Sequence, residues 1–129
     1  MTSPRQGEIW YVNLEPTVGV EIKKARPVIV ISSDAINSPK WKMRIVIPCS
    51  AWQDRFLDKL FKVQIPASDE TGLKKDSVAI ILQVRSISVD RFQDRLGQVS
   101  ADTLQELLAG LALGVDYQDY HQDIKKIIS

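Results

Sequence analysis
The groups in this 129-residue chain that could do chemistry are few, and their scarcity narrows the choice. There is one histidine, His121, and one cysteine, Cys49, so a His/Cys zinc cage within a single chain is excluded. A lone cysteine also cannot form an intrachain disulfide, which suits a reducing cytoplasm. No Gly-rich phosphate loop is present, so no cofactor is expected from that source. Arginine, lysine, carboxylates and hydroxyls remain. Arg26 stands out because it lies between a loop with Pro16 and Gly19 and the apolar run Val28-Ile29-Val30-Ile31. Its backbone is then anchored while its planar guanidinium can grip a phosphate by two hydrogen bonds. The plainer reading is a surface arginine shielding a strand end. Ser50 follows a strand, where its hydroxyl can hold a phosphate or merely cap a turn. With no histidine beside it, a covalent serine nucleophile is not expected. Glu21, in the loop before Arg26, is either a base with a raised pKa or the ion-pair partner of Lys23 or Arg26.

These residues need a frame, and the apolar pattern supplies one. Ile9–Leu14 reads as a first strand, rich in β-branched and aromatic residues. Pro27, which cannot donate a backbone hydrogen bond, suits the first residue of a second strand, and Val28–Ile31 reads as buried on both faces. Ser32-Ser33-Asp34 resembles the cap of a short helical turn ended by Asn37-Ser38-Pro39. Arg44–Pro48, Phe61–Ile65 and Ser77–Leu82 make three more strands, and Arg85–Val89 continues as another. Ser100 caps one clear helix, in which Leu104, Leu107, Leu108, Leu111 and Ala112 recur at helical spacing, with Gly114 as its stop. Short strands followed by one amphipathic helix predict a mainly β (α+β) fold, a small curved antiparallel sheet or barrel with a helix closing one end.

Composition agrees with one globular domain: 44% of residues are hydrophobic and 26% charged. No apolar run approaches the length of a membrane span, and the N-terminus lacks the apolar core of a secretory signal. Residues 1–116 form the expected domain and 117–129 a tail with a weak apolar stripe. The net charge of +1 hides an asymmetry, since residues 1–64 hold ten basic and six acidic side chains and residues 65–129 hold seven and ten. Such a split is either an ordinary solvated surface or a basic face suited to phosphate.

Six blocks in order now carry a resemblance. They are Gly7-Glu8-Ile9-Trp10; Leu14-Glu15-Pro16-Thr17 with Gly19 and Glu21; Arg26 through Asp34; Ile47-Pro48-Cys49-Ser50; Gly72 through Val78; and Gln83-Val84-Arg85-Ser86-Ile87. From about Arg5 to Val115 the chain resembles the MazF/PemK/Kid toxins of bacterial type II toxin–antitoxin pairs. The resemblance implies an SH3-like (CcdB/MazF-like) barrel, a homodimer, metal-independent cleavage of single-stranded RNA, and an antitoxin that blocks the RNA site. It further implies a catalytic role for the arginine of the Arg26-Pro27 step. Ser50 stands where the family usually has threonine, keeping the hydroxyl, and Glu21 matches an acidic position implicated in catalysis or loop positioning.

Cleavage through the ribose 2′-OH needs a base for that proton, cations for the pentacoordinate phosphorane and an acid for the departing 5′-oxygen. Arg26 and Ser50 meet the phosphate in this scheme, and Glu21 is the base candidate. Lys23 and Lys24 attract the RNA backbone. Trp52, Arg55 and Phe56 interleave aromatics with a cation, which suits unstacked bases and equally suits burial. Gln83 and Arg85 are base-edge or phosphate contacts, although Arg85 also reads as a structural pair. Trp10 and Tyr11 read as structural, and Asp76 and Ser77 as shaping the turn after Lys74-Lys75.

The chain departs from the family where Gln-Gly-Gly after the acidic residue becomes Ile22-Lys23-Lys24, which stiffens the loop. It departs again on the fifth strand, where Ala79-Ile80-Ile81-Leu82 offers no acid–base pair. Two other readings stand beside the ribonuclease, the first kept open by the tail Tyr117–Ser129 and the second by these departures. One is a CcdB-like toxin that binds DNA gyrase without nuclease activity, and the other a degenerate remnant that only binds an antitoxin. An acidic antitoxin is expected in either family reading, with operator DNA reached only through it and no membrane partner.

Overall fold
The computed structural model describes residues 3–14, 19, 25–53 and 61–118. Seven strands and a late helix follow in order: β1 (Glu8–Asn13), β2 (Ala25–Val30), β3 (Met43–Ala51), β4 (Lys62–Ile65), β5 (Ser77–Ile80), β6 (Arg85–Ser88), β7 (Phe92–Gln98) and α1 (Ala101–Gly114). Neighbours run antiparallel in the order β4-β5-β3-β2-β1-β7, with β6 also paired to β3. The long strand β3 serves two partners on one edge: Met43–Val46 pairs with β6, and Cys49–Ala51 with β5. Pro48 falls in the gap between them, where no ladder bond is required of that edge.

Both faces of the central strands are buried, as the unbroken run Val28–Ile31 predicts. Ile9, Ile29, Ile47, Cys49 and Ala79 join one cluster with Leu73 and Leu107, while Trp10, Val12, Val28, Val30, Val46 and Ile87 form a second. Phe92 meets Trp10 edge-to-face, with ring centroids 5.7 Å apart. Helix α1 closes the first cluster. Its cap is the expected one, with the Ser100 Oγ accepting the Thr103 N–H at 3.1 Å, and Leu107 is fully buried beside Leu104, Leu108 and Leu111.

The sheet is not closed by strand pairing. The segment from 66 to 76 instead returns over its far edge: Gln98 N–H donates to the Glu70 carbonyl at 2.9 Å, and Gly72 lies against the Leu96 carbonyl. A barrel-like enclosure results, as the fold reading expects, sealed by a loop in place of a ladder.

Two elements differ from the sequence reading. Phe92–Gln98 is a strand although FQDRLGQ shows no alternation, because β1 supplies its ladder through two register irregularities. Ile81–Gln83 turns into a single 3-10 turn, which shortens the fifth strand to Ser77–Ile80. The expected capped turn after Ser32-Ser33-Asp34 is present as a single turn: the Ser33 hydroxyl accepts the Ala35 N–H at 3.1 Å, the Ser33 carbonyl accepts the Ile36 and Asn37 N–H groups at 2.9 and 3.0 Å, and the Asn37 side chain closes it on the Ser32 hydroxyl and carbonyl.

Candidate active site
The site begins with a missing hydrogen bond. Ile31 N–H donates to the Ile45 carbonyl at 2.9 Å, so odd-numbered residues of β2 turn their amides toward β3. Pro27 holds the same parity and has no amide proton to give. The β2–β3 ladder accordingly ends at Val28↔Pro48, while β2 stays paired to β1 through Tyr11↔Pro27 and Val12↔Arg26. Pro27 is thus the third residue of its strand and not the first, tolerated because its nitrogen faces the edge that opens. Beyond that point β3 runs on beside β5 to Ser50 and Ala51. Extending the β2–β3 register by two residues sets Arg26 across from Ser50, on strands no longer bonded to each other.

Between them lies an open groove of ≈ 450 Å³, lined by Tyr11, Arg26, Pro27, Cys49, Ser50, Ala51, Gly72, Leu73, Lys74, Lys75, Ser77 and Leu96. Arg26 and Ser50 are both half-buried. Three cations (Arg26, Lys74 and Lys75) line the groove, and no carboxylate is among its described lining residues. Such a wall attracts phosphate. Burial pushes the Cys49 thiol up to about 12, so it stays protonated and is no nucleophile. Among the described residues no three His, Cys, Asp or Glu side chains gather as metal ligands.

Of the residues singled out from sequence, the structure brings Arg26 and Ser50 together. Trp52 is half-buried past the end of β3, where its N–H donates to the Asp76 carbonyl at 2.9 Å, and it does not line the groove. Gln83 ends the 3-10 turn and Arg85 opens β6 opposite Val46; neither is among the lining residues. Glu21, Lys23, Lys24 and Arg55 lie outside the described residues.

Sequence reasoning missed Lys74, Lys75 and Tyr11. Tyr11, read as structural, is 36% exposed and faces the groove beside Arg26, whereas Trp10 is buried as expected. The signal for the lysines was present: two cations between a turn glycine and a buried strand, the logic that singled out Arg26. Asp76 and Ser77 do shape that turn. The Asp76 carboxylate accepts the Ala67 N–H at 2.8 Å, and the Ser77 hydroxyl donates to the Lys75 carbonyl at 3.1 Å.

Residues 5–115 match the family model described as PemK-like, MazF-like toxin of type II toxin–antitoxin system. The chain is 34% identical over 117 residues to endoribonuclease MazF9 of Mycobacterium tuberculosis, covering 87% of this chain and 96% of that protein. Its fold superposes on the crystal structure of MazF from Deinococcus radiodurans with a TM-score of 0.74 at 24% identity, over 90% of this chain and 99% of that one. It also superposes on an endoribonuclease from a mycobacterial species solved with its cognate antitoxin, with a TM-score of 0.69 at 17% identity, over 90% and 98% of the two chains.

Proposed function
The chain belongs to the PemK-like, MazF-like toxin family of type II toxin–antitoxin systems, and we propose from that premise that the Arg26–Ser50 groove is where it cuts RNA. It is an endoribonuclease toxin. The finer reading is single-stranded RNA, cleaved at a short motif without a metal ion. The observation that carries it is the convergence of Arg26 and Ser50, from two strands parted at Pro27, in a groove whose described charged lining is all cationic.

In this reading the substrate's 2′-oxygen attacks the adjacent phosphorus and its proton passes to a base. The P–O5′ bond breaks, and the 5′-oxygen takes up a proton. The products are a 2′,3′-cyclic phosphate and a 5′-hydroxyl, so atoms and charge balance. The Arg26 guanidinium binds two non-bridging oxygens as negative charge gathers on the phosphorane, and the Ser50 hydroxyl orients the same phosphate. The base role falls to Glu21. A homodimer in the cytoplasm, held inactive by an acidic antitoxin, completes the reading. A solved relative bound to its cognate antitoxin supports that partner, and no helix among the described residues is long and apolar enough to cross a membrane.

The test is cleavage of a long, weakly structured RNA by purified protein in EDTA, with both new ends mapped. Discrete cuts bearing a cyclic phosphate are expected, reduced at least about 100-fold in Arg26→Ala. Intact RNA, or equal cutting by folded Arg26→Ala and Ser50→Ala variants, would sink the assignment. Intact RNA would turn attention to gyrase binding or an antitoxin-binding remnant.

A further inference from the structure
One scissile phosphate needs one clamp, and Arg26 supplies it; the groove nevertheless holds two more cations. We propose that Lys74 and Lys75 are positioning residues that hold the backbone phosphates flanking the scissile one, so that this loop fixes how RNA lies across Arg26 and Ser50. The inference rests on the groove being the RNA site.

The first support is the framing of the loop, whose backbone is fastened on both sides of the lysines. Upstream, the Thr71 hydroxyl donates to the Pro66 carbonyl at 2.9 Å and accepts the Ser68 N–H at 3.1 Å, and Gly72 N–H donates to the Ser68 carbonyl at 2.9 Å. Gly72, at φ +68°, lies so close to the Leu96 carbonyl that a Cβ there would come within 1.8 Å of its oxygen. Downstream, Asp76 is held by Ala67 and Trp52 amides, and the Lys75 carbonyl by Ser77. Two long side chains thus spring from a backbone with little freedom left to lose, which lowers the entropic cost of gripping a ligand.

The second support is charge. Both lysines are exposed, and among the described residues neither makes an ion pair. They line the same groove as the clamp, and no described carboxylate lines it with them. A lysine ammonium is a point charge suited to a non-reacting phosphate, whereas the planar fork of Arg26 suits the one that changes geometry. Phosphate contacts of the lysine kind set register and affinity without reading sequence.

The experiment measures binding of a single-stranded 2′-O-methyl oligoribonucleotide, which lacks the attacking hydroxyl, across a salt series. The same proteins are assayed for steady-state cleavage of the 2′-hydroxyl RNA. Parent, Lys74→Ala, Lys75→Ala, the double variant and the double Lys→Arg variant are compared, with thermal melts to confirm folding. The slope of log affinity against log salt should fall by about 0.7 for each phosphate contact removed. KM should rise about tenfold or more in the double alanine variant with kcat nearly unchanged, and the arginine variant should restore both slope and KM. An unchanged slope and KM in a folded double variant would mark the lysines as solvated surface and overturn the proposal. A fall in kcat at constant KM would overturn it too, by placing them in the chemistry. A parent that neither cleaves nor binds RNA would overturn the reading beneath it. A parent that cleaves in an Arg26-dependent way beside indifferent lysine variants would overturn this proposal alone.

Discussion

Two arginines, 18 positions apart in the same basic half of the chain, have opposite fates. Arg26 ends up in the groove, whereas Arg44 is 1% exposed and gives its guanidinium to the protein itself. Its Nε donates to the Pro4 carbonyl, Nη1 to the Trp41 and Met43 carbonyls, and Nη2 to the Ser3 hydroxyl and the Ser38 carbonyl, at 2.6–3.2 Å. Burial lowers its pKa, with Asp34 countering in part, and the bonds to neutral oxygens tie the N-terminal segment and the 38–41 loop to β3. Replacing it strands those carbonyls at the edge of the core. Arg44→Met should cost roughly 3–5 kcal/mol, read as a lower denaturant midpoint at unchanged slope, with cleavage by the remaining folded protein intact. Loss of cleavage without loss of stability would refute the structural role. At Arg26 the reverse split is expected: Arg26→Lys keeps the charge and the fold but loses the two-pronged grip, and kcat should fall about 100-fold in single-turnover assays.

At the scale of elements, the decisive contacts are where loops and strands are pinned to each other. The 66–76 segment closes the sheet only because two glycines admit close backbone approach: Gly72 at Leu96, and Gly97, where a Cβ would come within 2.2 Å of the Glu70 carbonyl oxygen. Gly72→Ala meets both that collision and a left-handed φ. It should destabilise by about 3 kcal/mol or more and, in the molecules that stay folded, raise KM by displacing Lys74 and Lys75. A melting temperature equal to the parent's would contradict the packing described.

The same β1–β7 edge is also pinned by charge. Glu8 on β1 accepts from Arg95 of β7 at 2.8 Å, from Trp10 Nε1 at 3.0 Å and from the Arg5 N–H at 2.8 Å. Burial alone would raise its pKa, but these hydrogen bonds outweigh it and the net shift is downward from 4.5. Asp34 is lowered from 3.8, first by the Gln6 N–H and then by Asn37. A depressed carboxylate stabilises the fold above its unfolded pKa and loses that contribution as pH falls through the folded value. Stability should therefore decline below about pH 4.5. Glu8→Gln should flatten part of that decline in acid-titrated denaturant melts, and an unaltered acid slope would exclude Glu8 as a contributor.

For the molecule as a whole, net charge conceals what the fold arranges. The chain is nearly neutral at +1, and its basic half suggests a phosphate face by count alone. The structure builds the cationic groove differently: Arg26 comes from that half, Lys74 and Lys75 from the acidic one, and Arg44 is withdrawn into the interior. An acidic antitoxin segment seated in this groove would compete with RNA for the same three cations. Its protection of RNA should weaken as salt is raised from about 50 to 200 mM. Inhibition indifferent to ionic strength would mean that the antitoxin acts through apolar contacts elsewhere.

The sequence by itself determined the elements whose signals are local. Apolar periodicity and the Ser100 cap placed α1; the run Val28–Ile31 announced a strand buried on two faces; ordered motifs disclosed the family and pointed to Arg26 and Ser50. Local signals could not show that Pro27 would end one ladder while sparing the other, since that depends on which edge its missing amide faces. Nor could they find β7, whose polar residues form a strand only because β1 lends its hydrogen bonds. The placement of Tyr11 and of the Lys74-Lys75 pair was likewise hidden, because a groove is made by parts of the chain remote in sequence. Side-chain type and spacing fix which groups are available for chemistry; only tertiary closure, here the 66–76 segment lying over β7, decides which of them meet.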